Sequence, residues 1–142
     1  MEYKRNEATP NRPEGDRVID ALYVFVDIPD YLRQLKDEKS WEKNDRNGIT
    51  VFKTEHLTMV LTMMHEKAVI KDNKVDGLLT LQVIEGRIRV STIDGDFELT
   101  EKQLINLHAN EPHSIEAVTE AAFLLSNYTL REATDTQIPE ST

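Results

Sequence analysis

Apolar and polar residues alternate at the period of a β-strand along most of this chain. Gly77-Leu-Leu-Thr-Leu-Gln-Val-Ile-Glu-Gly86 reads as a strand closed by a glycine turn, and Arg87-Ile-Arg-Val90 continues in strict alternation to a second turn at Asp94-Gly95-Asp96. The pattern predicts strands over about 78–84, 87–93, 96–99, 103–108, 113–117 and 121–130. Upstream it predicts strands at about 49–54 and 57–65, and a short β-branched and aromatic strand at Ala21-Leu-Tyr-Val-Phe-Val26. In the strand at 57–65, Leu57, Met59, Leu61, Met63 and His65 share one face, with Thr58, Val60, Thr62 and Met64 on the other. Trp41 to Gly48 is turn-like, with Asn47-Gly48 as its hairpin signal, and Lys71-Asp-Asn-Lys74 reads as a charged turn. Short strands with turn signals every 8–12 residues or so predict an all-β sandwich or barrel.

One segment breaks the period. Asp27 sits where a helix N-cap belongs, Pro29 and Asp30 fall in the first turn, and Ile28, Tyr31, Leu32 and Leu35 recur at helical spacing. A short amphipathic helix is predicted over 28–39, its apolar stripe packed on the barrel. Residues 1–16 are polar with two prolines and a glycine and are expected to form a flexible arm; 132–142 read the same way, as a flexible tail. The expected domain is 17–131.

Composition narrows the function classes. A chain of 142 residues fits one domain able to bury a core unaided, and the absence of cysteine excludes disulfides, thiolate zinc sites and a cysteine nucleophile. The net charge is −9, with Lys and Arg scattered, so no nucleic-acid partner is expected. No apolar stretch has the length of a membrane span and Met-Glu-Tyr-Lys-Arg-Asn-Glu lacks a signal-peptide core, so the expectation is a cytoplasmic protein with no membrane partner.

Strand spacing over about 49–126, Gly86 and the pair Pro112-His113 together resemble the cupin family. That resemblance implies a double-stranded β-helix barrel of two packed antiparallel sheets, here with one short N-terminal helix, and a homodimer. The family's first motif consists of a glycine, His-x-His, a glutamate and a closing glycine. Anchored on Gly86, it puts the glutamate position at Leu79 and the histidine positions at Asn73 and Val75, or at Asp72 and Lys74 with longer spacing. The opening glycine falls on Lys67 or Glu66. The second motif consists of a glycine, Pro-x-Gly, a histidine and an asparagine. Anchored on His113, it puts Lys102 and Asn110 at the glycines, His108 at the proline and Ala117 at the asparagine. Of the family's metal ligands, only His113 stands residue for residue. A catalytic metal needs several converging N or O donors, and Val75 and Leu79 supply none.

His113 is therefore read as a relic ligand or general base, set against a histidine that hydrogen-bonds locally at a strand start. His65 shares parity with an apolar face and is a candidate for pointing into the barrel near His113, set against a satisfied structural histidine. His56 and His108 are expected at strand ends in solvent, and Arg87 and Arg89 on a solvated outer face. Met59, Met63 and Met64 are read as core residues, with an adaptable pocket as the alternative. Inward positions are expected at Leu79, Leu81, Val83, Ile88, Val90, Leu104 and Phe123. The leading expectation is a cofactor-free barrel that binds a small, largely apolar molecule, with His113, Asn73 and His65 as its candidate ligand-binding residues. The alternatives are a metal-dependent enzyme of dioxygenase or isomerase type, built on His113, His65 and Asn73 or Asp72, and a barrel kept for its oligomeric surface.

Overall fold

The inner faces of two antiparallel sheets are set by that alternation. A computed structural model describes residues 4–129. Its strands are β1 (Lys4–Asn6), β2 (Arg17–Asp20), β3 (Arg46–Lys53), β4 (Leu57–Met64), β5 (Val69–Asn73), β6 (Leu78–Glu85), β7 (Ile88–Thr92), β8 (Gly95–Leu99), β9 (Leu104–Leu107), β10 (His113–Ala117) and β11 (Ala121–Tyr128). Two helices, α1 (Ile28–Asp37) and α2 (Lys39–Lys43), lie between β2 and β3. One sheet has the order β5-β10-β7-β8, the other β3-β4-β11-β6-β9, and β1 pairs with β2 as a separate ribbon.

On β6, Leu79, Leu81 and Val83 turn inward opposite Ile88 and Val90 of β7, Ile115 of β10 and Phe123 of β11, all buried. This apolar layer fills the space between the sheets. Leu104, expected inward, is instead 49 % exposed. The register explains the correction: β9 pairs Leu107 with Leu79 and Ile105 with Leu81, so odd positions face the core and Leu104 faces out.

A second core lies on the outer face of the five-stranded sheet. The Asp27 side chain accepts from the Asp30 backbone N–H at 3.1 Å and Pro29 occupies the first turn, as the N-terminal pattern predicts. Leu32 and Leu35 of α1 and Trp41 of α2 cover Ile49, Val51, Leu61, Met63 and Ala122. Both faces of β4 are therefore buried at its end, Met64 with Thr62 on the barrel side and Leu61 with Met63 under the helix layer.

Three local expectations are corrected. Trp41 to Gly48 is not a turn: it forms α2 and the start of β3, and Asn47 is buried against Glu38 rather than placed at a hairpin tip. Lys71 to Asn73 belongs to β5, which pairs with β10. Ala21–Val26 forms no strand; it runs unpaired from β2 to the Asp27 cap, with Tyr23 90 % and Phe25 87 % exposed while Val26 packs on the helix core. Propensity alone does not make a strand without an edge to pair with.

Within the segment expected as an arm, β1 pairs with β2 and Arg12 grips Glu38, donating from Nε at 2.9 Å and from Nη2 at 3.0 Å to its two carboxylate oxygens. Gln34 and Asn47 also donate to Glu38. The tail at 132–142 lies outside the described residues. Among those residues no helix is long and apolar enough to cross a membrane.

Candidate functional site

His113 and Asn73 meet because β10 and β5 place them opposite each other, at the point where a bulge shifts the register before Ile115. The Asn73 amide Nδ2 donates to His113 Nε2 at 3.3 Å, and His113 Nδ1 lies 3.0 Å from the carbonyl oxygen of Glu111. One neutral tautomer satisfies both contacts, with the proton on Nδ1 donated to Glu111 and Nε2 accepting from Asn73. At 3 % exposure the imidazole is buried with both ring nitrogens engaged by protein.

Other positions of the two motifs are apolar. Leu79 is buried in the glutamate position, Ala117 in the asparagine position, and Leu107 pairs with Leu79 behind them. Asp72 is exposed. Among the described residues no three His, Asp or Glu side chains are placed to hold a metal ion. This donor set does not fit a family-type metal centre. Sequence reasoning missed one polar group: Asn127, paired with Leu79 across β11 and β6, keeps a buried Oδ1 with no hydrogen-bond partner among the described residues. Its parity with Phe123 and Leu125 marked it as inward.

His65 does not join the pair, which corrects its expected place in the barrel. The face it shares with Leu61 and Met63 is the one under the helices. Its ring stacks on Trp41 with centroids 3.5 Å apart, and Nε2 lies 2.7 Å from the Trp41 carbonyl oxygen. Parity correctly grouped these residues, but the barrel lies on the other side of β4. His56 sits between β3 and β4, beside Glu55 and the Thr129 carbonyl. Arg89 lies on the outer face, as expected, and bridges Glu98 and Glu116.

The backbone retains what the side chains have lost. The motif's glycine positions fall on Lys67, Gly86, Lys102 and Asn110, and all four have left-handed φ angles, of 76°, 82°, 73° and 64°. At three of them the backbone N–H ties the turn to a segment distant in sequence: Lys67 donates to the Ala117 carbonyl, Lys102 to that of Val83 and Asn110 to that of Val75. Glycine is the residue that accepts such angles most easily, so lysine at two of these positions reflects a turn geometry fixed by the fold.

Concavity lies elsewhere. A cleft of about 680 Å³ opens between β8 and β9, the free edges of the two sheets on one side of the barrel. Phe97, Leu99, Leu104 and Leu107 give it an apolar floor, while Asn106, His108 and Glu111 form part of its polar wall. Asp94, Glu98 and Glu111 line it with no lysine or arginine among the lining residues, and Glu98 is paired with Arg89. Glu111 also joins this cleft to the barrel interior, since its carbonyl accepts from His113.

No family model matches the chain, and no curated protein does. Solved structures do. A protein of unknown function from Rhizobium leguminosarum bv. viciae superposes with a TM-score of 0.60 at 14 % identity, covering 77 % of this chain and 98 % of its own. A cupin superfamily protein from Desulfitobacterium hafniense gives 0.58 at 12 % identity, over 61 % of this chain and 79 % of its own. An RmlC-like cupin from Shewanella frigidimarina gives 0.57 at 14 %, over 63 % and 81 %. Identities this low speak to the fold alone, and on that ground, with the left-handed turns at the motif's glycine positions, the chain is a cupin-fold β-barrel.

Proposed function

We propose that this cupin-fold chain is a binding module without a family-type catalytic metal, and that it takes a small ligand in the cleft between β8 and β9. The observation that carries this reading is the pairing of an apolar-floored cleft of about 680 Å³ with a barrel centre filled by Leu79, Leu81, Ile115 and Phe123. Pockets of that size suit a small organic molecule. Carboxylates without a basic residue in the lining favour an apolar body with a cationic or hydrogen-bond-donating head. In this reading His113 and Asn73 are positioning residues: their hydrogen bonds fix the Glu111 turn that forms part of the cleft wall.

The alternative, a metal-dependent enzyme of dioxygenase or isomerase type around His113, would need His113 to leave Asn73 and His65 to cross its sheet. Against it stands the His113 ring, whose two nitrogens are taken up by Asn73 and the Glu111 carbonyl. A homodimer and a cytoplasmic location belong to the same proposal; the apolar side chains of Leu22, Tyr23 and Phe25, exposed side by side, support the former.

The test is a fragment screen by ligand-observed NMR, repeated on Leu104→Arg, which puts a bulky cation into the cleft. Hits that compete for one site and vanish in Leu104→Arg are the expected result. Hits that survive in Leu104→Arg but vanish in His113→Ala would move the site into the barrel. Elemental analysis after exposure to Fe, Mn, Ni and Zn covers the alternative, since about one equivalent of metal lost with His113→Ala would favour the enzyme.

A further inference from the structure

A second cleft, independent of the β8–β9 site, lies on the other side of the five-stranded sheet, where the N-terminal segment crosses the β3 edge. We infer that it is a binding site for a small oxyanion of carboxylate or phosphate type, centred on Arg17. The cleft encloses about 400 Å³ and is lined by Asn6, Thr9, Asn11, Arg12, Arg17, Ser40 and one carboxylate, Glu7.

Arg17 differs from its neighbours. Arg5, Arg12, Arg33, Arg46 and Arg89 each face a carboxylate within ion-pair distance. Arg17 is half-buried and, among the described residues, its hydrogen bonds go to backbone: Nε to the Thr50 carbonyl at 2.8 Å and Nη1 to the Gly15 carbonyl at 2.7 Å. Those bonds hold the guanidinium rigid and leave Nη2 without a protein acceptor among the described residues. A half-buried cation with neutral partners carries a desolvation cost that an anion would offset. Burial first and the neighbouring Arg12 next disfavour its charge and together outweigh the opposing pull of Tyr31 and Glu38, lowering the Arg17 pKa, which is the setting an anion relieves.

Arg12 adds a second guanidinium to the same wall. Its compensating carboxylate, Glu38, is buried and lines the adjacent cleft with Gln34 and Asp37, not this one. Glu7 is exposed and forms no ion pair with either arginine, so it can turn to solvent when an anion enters. The remaining wall can donate hydrogen bonds: the amides of Asn6 and Asn11, and the hydroxyls of Ser40 and of Thr9, whose oxygen accepts from the Arg12 N–H. An oxyanion seated here would accept from Arg17 Nη2 and from these neutral donors at once.

The test uses the full chain and two probes, inorganic phosphate and acetate, with ionic strength held constant by sodium chloride. Thermal unfolding and two-dimensional amide NMR are followed against probe concentration. The expected result is a saturable rise in Tm with shifts confined to residues 6–17 and Ser40, for phosphate, acetate or both. Which probe saturates at lower concentration distinguishes phosphate from carboxylate as the preferred group. Arg17→Gln is expected to weaken the response about tenfold or more, since it removes a charge-assisted donor. Because that variant also loses two backbone contacts, Ser40→Asp provides a second arm: it keeps Arg17, places a carboxylate in the cleft, and is expected to abolish the response in a folded protein. A probe effect no larger than that of sodium chloride, or one undiminished in both variants, would overturn the assignment.

Discussion

At the residue scale, both ring nitrogens of His113 are engaged by protein, Nε2 by Asn73 and Nδ1 by the Glu111 carbonyl. Truncating it removes a buried ring and leaves Asn73 and the Glu111 carbonyl without their partner. His113→Ala should therefore cost about 2–4 kcal/mol in denaturant unfolding while leaving cleft ligands bound, with affinity reduced only as far as the Glu111 turn loosens. The buried clasp on the N-terminal segment gives a pH signature. Burial alone would raise the Glu38 pKa, but hydrogen bonds from Arg12, Asn47 and Gln34 outweigh it and hold the carboxyl below its usual range. A depressed folded-state pKa means the clasp stabilises fully above the unfolded value of about 4.3 and loses that contribution as pH falls through the lower, folded value. Arg12 keeps 22 % of its side chain in water, so Arg12→Ala is expected to cost about 2 kcal/mol at neutral pH, less than a fully buried pair. The gap in Tm between wild type and Arg12→Ala should narrow from about pH 5 to pH 3. A gap independent of pH would assign the effect to packing. The meeting of His113 with Asn73 was legible in the sequence because both motifs carried their positions. His65 was not, because a period of two tells which side chains share a face but not which side of the sheet becomes the interior.

At the scale of elements, most strands were legible, and their misreadings have a common cause. Where the alternation ran unbroken, as for β6, β7 and β11, it placed the strand within a residue or two, even though β11 pairs with strands far away in sequence. Where structure depended on a side-chain contact that alternation does not carry, local chemistry misled: Asn47-Gly48 has the composition of a hairpin turn, yet Asn47 is drawn into β3 by donating to the Leu35 carbonyl and to Glu38. The turns at left-handed positions were legible only as missing glycines. They make a paired prediction. Gly86 at φ 82° cannot take a Cβ without striking the Glu120 carbonyl oxygen, so Gly86→Ala should lower stability by about 2–3 kcal/mol. Lys67 and Lys102 already bear the left-handed cost, so Lys67→Gly and Lys102→Gly should leave stability unchanged or raise it by up to about 1 kcal/mol. Lys102→Val, β-branched at the same angle, should lower it by about 1–2 kcal/mol. Urea midpoints of the four variants check the order.

At the scale of the whole molecule, one short segment among the described residues carries a run of exposed apolar side chains with no strand to pair with. The barrel layer and the helix layer account for the large buried side chains, and the helices cover an outer sheet face that would otherwise be apolar. Between them, Leu22, Tyr23 and Phe25 stand exposed in a run with strong β-propensity and no strand partner. Val24 and Val26 are half-buried, which leaves Tyr23 and Phe25 as the exposed aromatic side chains of the run. On the proposed homodimer, this run is the natural place for a second copy to bury aromatic surface. Two chains of formal charge −9 repel, and salt both screens that repulsion and strengthens apolar burial, so dimerisation should tighten as ionic strength rises. Sedimentation equilibrium at low and high sodium chloride is the measurement. The dimer fraction should increase with salt, and Tyr23→Asp with Phe25→Asp should leave a folded monomer at every salt concentration. A dimer that weakens with salt would instead rest on ion pairs, and one that survives both substitutions would join through another surface, leaving the exposed aromatic run for a different partner.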